Sequence, residues 1–215
     1  MAISGYIAIE GPIGVGKTTL ASRLANLFNG RLVEELAEEN PFLSEFYKDR
    51  DRYAFQTQIF FLMSRYAQQE QLFSQDLFSK CTIADYMFAK DRIFAKLNLS
   101  ENEMALYDRV ASALEKNVSN PDLVIYLTAS VDSLVDRIKK RGRAYEKSFD
   151  RDYLTYLCEV YSNYFFHYDK SPLLVIKTDN VDLSIDNEKI EYLAEKISSQ
   201  PTDTEYISFD SHAIG

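Results

Sequence analysis

The sequence predicts an α/β fold in which helices flank a doubly wound, five-stranded parallel sheet with the strand order 2-3-1-4-5. Short apolar runs alternate along the chain with longer segments of helical periodicity, which is the pattern of strands joined by crossover helices. The last two apolar runs are almost continuous, as expected for strands that helices cover on both faces. These two observations predict a single parallel sheet at the centre of the molecule.

Each predicted element follows from its own local pattern. The five predicted strands are Tyr6–Ile9, Leu32–Glu34, Thr82–Ala84, Leu123–Leu127 and Leu174–Lys177. The predicted helices are Thr19–Phe28, Asp51–Phe78, Asp85–Leu97, Glu101–Val118, Val131–Arg141, Arg151–Tyr168 and Asp186–Ile197. Pro121 interrupts the chain before the fourth strand, and Gly142 ends a helix. We expect residues 1–199 to form one domain and residues 200–215 to form a polar tail, at the surface or disordered.

Composition excludes several classes of function. The chain of 215 residues has 24 basic and 33 acidic side chains, which give a formal net charge of −9. An acidic surface does not attract nucleic-acid polymers or anionic membranes, so we expect neither as a partner. The two cysteines, Cys81 and Cys158, make no disulfide framework. No apolar run approaches the ~20 residues of a membrane-spanning helix. We therefore expect a cytoplasmic protein.

The segment between the first predicted strand and the first helix is the most specific motif. Residues 11–18 are GPIGVGKT, which fits G-x-x-x-x-G-K-[ST], a loop whose backbone N–H groups surround a polyphosphate. Lys17 can reach the β- and γ-phosphates, and the hydroxyl of Thr18 suits Mg²⁺. The motif predicts a site for ATP with Mg²⁺ at the N-terminus of the helix. Its predicted residues are Gly11, Gly14, Gly16, Lys17, Thr18 and Thr19.

Two carboxylates follow predicted strands, at the sheet edge where ligands of open α/β sheets bind. Asp85 follows the third strand and could hold Mg²⁺ together with Thr18; the alternative is that it caps the next helix. Glu35 follows the second strand, within reach of the phosphates. Because Glu34, Glu38 and Glu39 surround it, a solvated acidic stretch is the alternative interpretation.

A basic cluster stands out in this acidic chain. Arg137 and Arg141 are four residues apart and share a helix face, and Arg143 lies just beyond Gly142. Basic side chains at the end of a helix complement its dipole. Three arginines exceed that need, so we predict an arginine lid over the transferring phosphate, whose oxygens match the guanidinium geometry.

With these motifs, the sequence resembles the deoxyribonucleoside kinases, the group of deoxycytidine, deoxyguanosine and bacterial deoxyadenosine kinases. The resemblance runs from the glycine-rich loop to about Asp179. It implies ATP-dependent phosphorylation of the 5′-hydroxyl of a deoxyribonucleoside, with Lys17, Glu35 and the three lid arginines as catalytic residues. The family is typically dimeric, so the resemblance also implies a homodimer, for which the predicted helices Asp85–Leu97 and Arg151–Tyr168 offer apolar faces.

The resemblance also implies a set of substrate-binding residues. Glu35 matches the glutamate that accepts the proton of the 5′-hydroxyl. Tyr47 and Glu146 match contacts to the sugar 3′-hydroxyl, Gln58 matches a glutamine that binds the base edge, and Arg65 with Asp91 matches a pair beside the base. Gln56 offers a second register, but only Gln58 aligns both Tyr47 and Arg65 without gaps. The Arg–Asp pair suits a purine or cytosine rather than thymine.

Two departures from the family pattern leave alternatives open. Tyr86 stands where the family has an arginine that approaches the 5′-oxygen and the phosphates, so either a lid arginine takes that role or the contact is missing. Leu36 replaces the proline that usually follows the glutamate. One alternative function is a nucleoside monophosphate kinase of the thymidylate-kinase type. The other is a nucleotide-binding module that does not turn over a nucleoside.

Overall fold

A parallel sheet organises the chain. The structure, a computed structural model, describes residues 3–72, 80–143 and 150–209. Within these residues the sheet has six strands in the order β2-β3-β1-β4-β5-β6, and every pairing is parallel. The strands are β1 (Gly5–Glu10), β2 (Arg31–Val33), β3 (Cys81–Ala84), β4 (Leu123–Thr128), β5 (Leu173–Lys177) and β6 (Thr204–Ser208). The predicted α/β class and the order 2-3-1-4-5 are confirmed.

The number of strands is a correction, because β6 extends the sheet beyond β5 within the segment predicted as a polar tail. Its register places Ile207 beside Ile176. Of the five residues of β6, only Ile207 is buried. An edge strand with one buried side chain leaves almost no periodic apolar signal in the sequence, and therefore the pattern predicted five strands instead of six.

Helices cover both faces of the sheet. They are α1 (Lys17–Phe28), α2 (Leu43–Lys48), α3 (Arg50–Leu72), α4 (Lys90–Asn98), α5 (Glu101–Leu114), α6 (Val131–Arg141), α7 (Arg151–Phe166) and α8 (Asn187–Ser198). The sequence did not predict the short helix α2. The predicted helix Asp51–Phe78 corresponds to α3, and its C-terminal residues 73–78 lie outside the described part of the chain. Gly142 ends α6 in a left-handed conformation, with φ of 70°, as the sequence predicts.

Helix α4 begins five residues later than the predicted helix Asp85–Leu97. The carboxylate of Asp85 accepts hydrogen bonds from the Thr18 hydroxyl and from the Glu35 backbone N–H, which lie on other elements. Asp85 is therefore not the cap of this helix. Residues 85–89 form a loop at the carboxyl edge of the sheet, and this loop brings Lys90 to the same edge.

The core consists of the central strands and the helices on either face. Val124, Ile125 and Leu127 of β4 are fully buried, as expected for a strand covered on both sides. A second apolar cluster joins α3, α4 and α5 around Leu62 and Tyr107. This second cluster fixes the two helices, α3 and α4, that carry much of the candidate site. Among the described residues, no helix combines the length and apolarity that crossing a membrane requires.

Candidate active site

The glycine-rich loop connects β1 to α1 and ends at the N-terminus of α1. Its glycines have positive φ angles. At two of these positions, neighbouring groups also lie too close to leave room for a Cβ atom. A Cβ on Gly11 would lie 2.4 Å from the Leu127 carbonyl oxygen, and one on Gly14 would lie 2.8 Å from Ile138 Cγ1. The loop therefore exposes backbone N–H groups in a conformation that requires glycine.

Lys17 anchors this loop from the first turn of α1. Its Nζ donates hydrogen bonds to the carbonyl oxygens of Gly11 at 2.8 Å and Pro12 at 3.2 Å. Burial, together with the positive charge of Lys90, lowers the pKa of Lys17 to about 8. The ammonium group lies where the terminal phosphates of a bound triphosphate would meet it.

Thr18 and Asp85 form an oxygen pair at the edge of the loop. The hydroxyl of Thr18 donates to Asp85 Oδ2, while Asp85 Oδ1 accepts from the backbone N–H of Glu35 at 2.7 Å. One hydroxyl and one carboxylate oxygen beside a phosphate site suit Mg²⁺, a hard cation that binds through few protein oxygens and the substrate's phosphates. These two predicted metal residues therefore lie together and have suitable chemistry.

Glu35 lies between two buried cations. Glu35 Oε2 accepts from Lys90 Nζ at 2.5 Å, and Glu35 Oε1 accepts from Nε and Nη2 of Arg65. Burial by itself would raise the pKa of the Glu35 carboxyl, but the charges of Lys90 and Arg65 outweigh it and hold that pKa well below its usual range. Glu35 is therefore a carboxylate at every physiological pH.

Asp91 supports this arrangement from behind Arg65. It accepts from Arg65 Nη1 and from the Tyr107 hydroxyl, the latter at 2.8 Å, and it is fully buried. Burial raises the pKa of Asp91 to about 6, against the lowering effect of Arg65 and Tyr107. Asp91 does not reach the cavity described below, so its direct contact is with Arg65 and not with a ligand.

A cavity of about 500 Å³ opens beside Glu35. Tyr47, Gln58 and Arg65 line it, and so do Lys17 and Thr18 at its inner end. The Oε1 atom of Gln58 is buried and has no hydrogen-bond partner among the described residues, whereas Gln56 is exposed. Of the two registers considered for the glutamine, the structure thus brings Gln58 into the cavity.

A second cavity of about 740 Å³ lies on the other side of the loop, between it and residues 179–184. Thr19 lines this cavity. Arg141 and Arg143 line both cavities, as do Gly14, Lys17 and Thr18. The two cavities therefore meet at Lys17 and Thr18, beneath the end of α6.

The three predicted lid arginines differ in their contacts. Arg137 donates to carbonyl oxygens of Val15, Thr178 and Val181, which ties the glycine-rich loop to the loop after β5. Arg143 forms an ion pair with Glu38, with 3.3 Å between Nε and Oε1. Glu146, the predicted contact to the sugar, lies outside the described residues.

Several residues of this site were not predicted from the sequence, among them Lys90, Tyr107 and Glu10. Lys90 is buried at the start of α4 beside Glu35, and Tyr107 donates to Asp91. Glu10 ends β1, and its buried carboxylate accepts from the backbone N–H groups of Gly11 and Met87. Only Glu10 had a signal in the sequence, because it is a charged residue at the end of an apolar strand. Nothing in the spacing marks Lys90 or Tyr107, because tertiary packing brings them to the site.

The fold and the two joined cavities define a P-loop kinase. The deoxynucleoside kinase family matches residues 7–200. Deoxyguanosine kinase of Bacillus subtilis is 40% identical over 164 residues, which cover 75% of this chain and 78% of that enzyme. The deoxyadenosine/deoxycytidine kinase of the same organism is 30% identical over 210 residues, covering 91% and 93% respectively.

Among solved structures, deoxyadenosine kinase from M. mycoides with bound products has a TM-score of 0.77 at 29% identity. The alignment covers 90% of this chain and 99% of that one. The same enzyme with bound dATP has a TM-score of 0.76. The chain belongs to the deoxynucleoside kinase family and is an enzyme that phosphorylates deoxyribonucleosides.

Proposed function

We propose that the enzyme transfers the γ-phosphoryl group of ATP to the 5′-hydroxyl of a deoxyribonucleoside with a purine or cytosine base. The observation that supports this assignment is the meeting of the two cavities at Lys17 and Thr18. One cavity borders the glycine-rich loop and suits the donor, and the other borders Glu35 and suits the acceptor. Phosphoryl transfer requires the donor and the acceptor to lie next to each other at a cationic centre, which two adjoining cavities allow.

On the donor side, the loop's N–H groups and Lys17 bind the phosphates. Thr18 and Asp85 would hold Mg²⁺, which when bound offsets the negative charge of the phosphate oxygens. Arg141 and Arg143 line the junction of the cavities and contribute positive charge to the transferring group. Arg137 acts as a positioning residue, because its guanidinium holds the two loops together.

On the acceptor side, Glu35 binds and orients the 5′-hydroxyl. Its strongly lowered pKa makes it a weak base, so orientation is the larger part of its role and proton acceptance accompanies transfer of the phosphoryl group. Tyr47 and Glu146 bind the sugar 3′-hydroxyl. Gln58 contacts the base edge with its unpaired amide oxygen, and Asp91 positions Arg65.

A panel of acceptors tests this assignment. ADP release is measured with deoxyadenosine, deoxyguanosine, deoxycytidine, thymidine and the four monophosphates, with ATP and Mg²⁺ present and with Mg²⁺ removed by chelation. We expect turnover with at least one purine or cytosine nucleoside, little with thymidine, and loss of turnover without Mg²⁺. Turnover with monophosphates alone would contradict the acceptor assignment, and equal turnover with thymidine would contradict the base preference.

We also propose that the enzyme is a homodimer that pairs through α4 and α7. In a groove of about 570 Å³ between these helices, apolar and aromatic side chains such as Ile93, Tyr156 and Tyr164 lie among charged ones such as Arg92 and Lys96. Tyr156 is 54% exposed, and pairing with a second copy would remove its aromatic surface from water. Sedimentation velocity of the wild type and of Tyr156→Asp checks this proposal; we expect a dimer that the substitution weakens.

A further inference from the structure

Lys90 occupies a place in the site that the assigned roles do not explain. It is the first residue of α4, it is 5% exposed, and it lines the acceptor cavity together with Lys17, Thr18 and Glu35. Its Nζ lies 2.5 Å from Glu35 Oε2. A buried ammonium group is costly to remove from water, and its retention therefore calls for a reason.

Holding Glu35 in place is an insufficient reason. Arg65 already donates to Glu35 Oε1 through Nε and Nη2, and Asp91 holds Arg65 from the other side. Arg65 is thus fully engaged by two carboxylates. Because Arg65 is shared by two carboxylates, Lys90 balances the remaining negative charge, but the two hydrogen bonds from Arg65 already fix the position of Glu35.

The Lys90 ammonium retains hydrogen-bonding capacity toward the cavity. An ammonium group has three N–H donors, and among the described residues Lys90 donates to Glu35 alone. Its charge is close enough to Lys17 to lower the pKa of Lys17. Both ammonium groups therefore line the acceptor cavity, Lys17 from the phosphate loop and Lys90 beside Glu35.

Residues 85–89, the loop after β3, supply no positive charge at this place. Tyr86 follows Asp85, but its side chain is fully buried and is not among the described residues that line the two cavities. Lys90, four residues further on, is the cation that this segment brings to the acceptor cavity. The arginine that the family pattern has at position 86 is thus absent while a different cation lies beside Glu35.

We propose that Lys90 is a catalytic residue whose ammonium group contacts the acceptor 5′-oxygen and the transferring phosphoryl group; this rests on the proposed function. The 5′-oxygen forms a bond to the γ-phosphorus while the bond from phosphorus to the β,γ-bridging oxygen breaks. The electron pair of that bond leaves with ADP, and the hydroxyl proton passes to Glu35. Lys90 offsets the negative charge that develops between these atoms.

The test compares Lys90→Met with Lys90→Arg and with Lys196→Met, which removes a partly exposed lysine on α8. Turnover is measured with the best acceptor of the panel, and dissociation constants for nucleoside and ATP are measured separately by calorimetry. We expect Lys90→Met to lower kcat by about 10²–10³-fold, the effect of removing one preorganised donor, with both dissociation constants within about threefold of wild type. Lys90→Arg should recover at least tenfold of the loss, and Lys196→Met should behave as wild type.

The outcomes separate this inference from the proposed function. If the wild type turns over no nucleoside, the proposed function fails. If the wild type is active and Lys90→Met keeps kcat within about threefold, or loses nucleoside binding at unchanged kcat, Lys90 is not catalytic. Should Lys90→Met fail to fold, as judged by circular dichroism, Lys90→Gln replaces it with a neutral polar side chain, and the same expectation for kcat applies.

Discussion

The donor and acceptor halves of the site are built by different means. Residues 11–19 build most of the donor half, and backbone N–H groups and glycine conformations supply its chemistry. The acceptor half depends on side chains from distant elements: Glu35 is 30 residues from Arg65 and 55 from Lys90. A contiguous loop specifies its geometry locally, whereas the acceptor half depends on how α3 and α4 pack.

This difference predicts how each half responds to substitution. Changes in the donor loop should affect all acceptors alike, because every substrate uses the same phosphate chemistry. Changes in the acceptor half should alter orientation and selectivity. Substitutions of Asp91 or Tyr107, which support Arg65 without lining the cavity, should mainly lower the free energy of unfolding.

The largest effect is expected for Lys17→Met, which removes the ammonium group from the phosphate loop. We expect turnover to fall by about 10³-fold for every nucleoside, with their ranking unchanged. Steady-state kinetics with the acceptor panel checks this, with Lys116→Met, an exposed lysine, as the control. A changed ranking would show that the donor half also contributes to selectivity.

Glu35→Gln is expected to follow, with a loss of turnover of about 10²-fold and ATP affinity within a few-fold of wild type. The amide keeps the size of the side chain but neither accepts the proton nor balances Lys90 and Arg65. Glu45→Gln, a surface substitution beside Lys48, is the matched control. Near-normal turnover of Glu35→Gln would remove Glu35 from its proposed role.

Gln58→Leu should change selectivity more than rate. Loss of a buried amide that pairs with the base edge costs about 1–3 kcal/mol for the bases it pairs with, so we expect kcat/KM ratios among nucleosides to shift by about 10- to 100-fold. Gln56→Leu, two residues away and exposed, is the control. An unchanged ranking in Gln58→Leu would mean that the base is bound by other groups.

Tyr107→Phe is expected to have the smallest effect, and on stability. Burial raises the pKa of Asp91 to about 6, above its value of about 4 in the unfolded chain. The stability that the protonated Asp91 carboxyl contributes to the folded state is therefore fully present below pH 4, and it is lost as pH rises through 6. The hydrogen bond from Tyr107 lowers the pKa of Asp91. Removing the Tyr107 hydroxyl therefore raises that pKa, and the stability is then lost at pH values above 6.

The free energy of unfolding in urea, measured between pH 4.5 and 8, tests this sign. We expect Tyr107→Phe to cost about 1–2 kcal/mol at pH 8 and less at pH 4.5, with Tyr192→Phe, an exposed tyrosine, as the control. Equal destabilisation at both pH values would show that the hydroxyl does not act on the charge of Asp91.

How much of the site the sequence predicted depends on the range of each interaction. The pairing of Thr18 with Asp85 lay within reach of sequence reasoning, because the carboxyl ends of neighbouring parallel strands meet at one edge. Gln58 was placed by its spacing from Tyr47 and Arg65. The pairing of Glu35 with both Arg65 and Lys90 was not predicted. It depends on how α3 and α4 pack beside β2, and the sequence spacing of these residues does not indicate that packing.

The sequence by itself determined the fold class and the phosphate loop, because alternating apolar periodicity and one contiguous motif specify them locally. The order of the first five strands followed from the resemblance to a P-loop kinase fold. The tertiary structure decided the rest. It added β6 at the sheet edge, where one buried side chain is too weak a signal. It also placed Lys90 and Arg65 on the same carboxylate, because packing of α3 and α4 against the sheet edge brings their buried charges together.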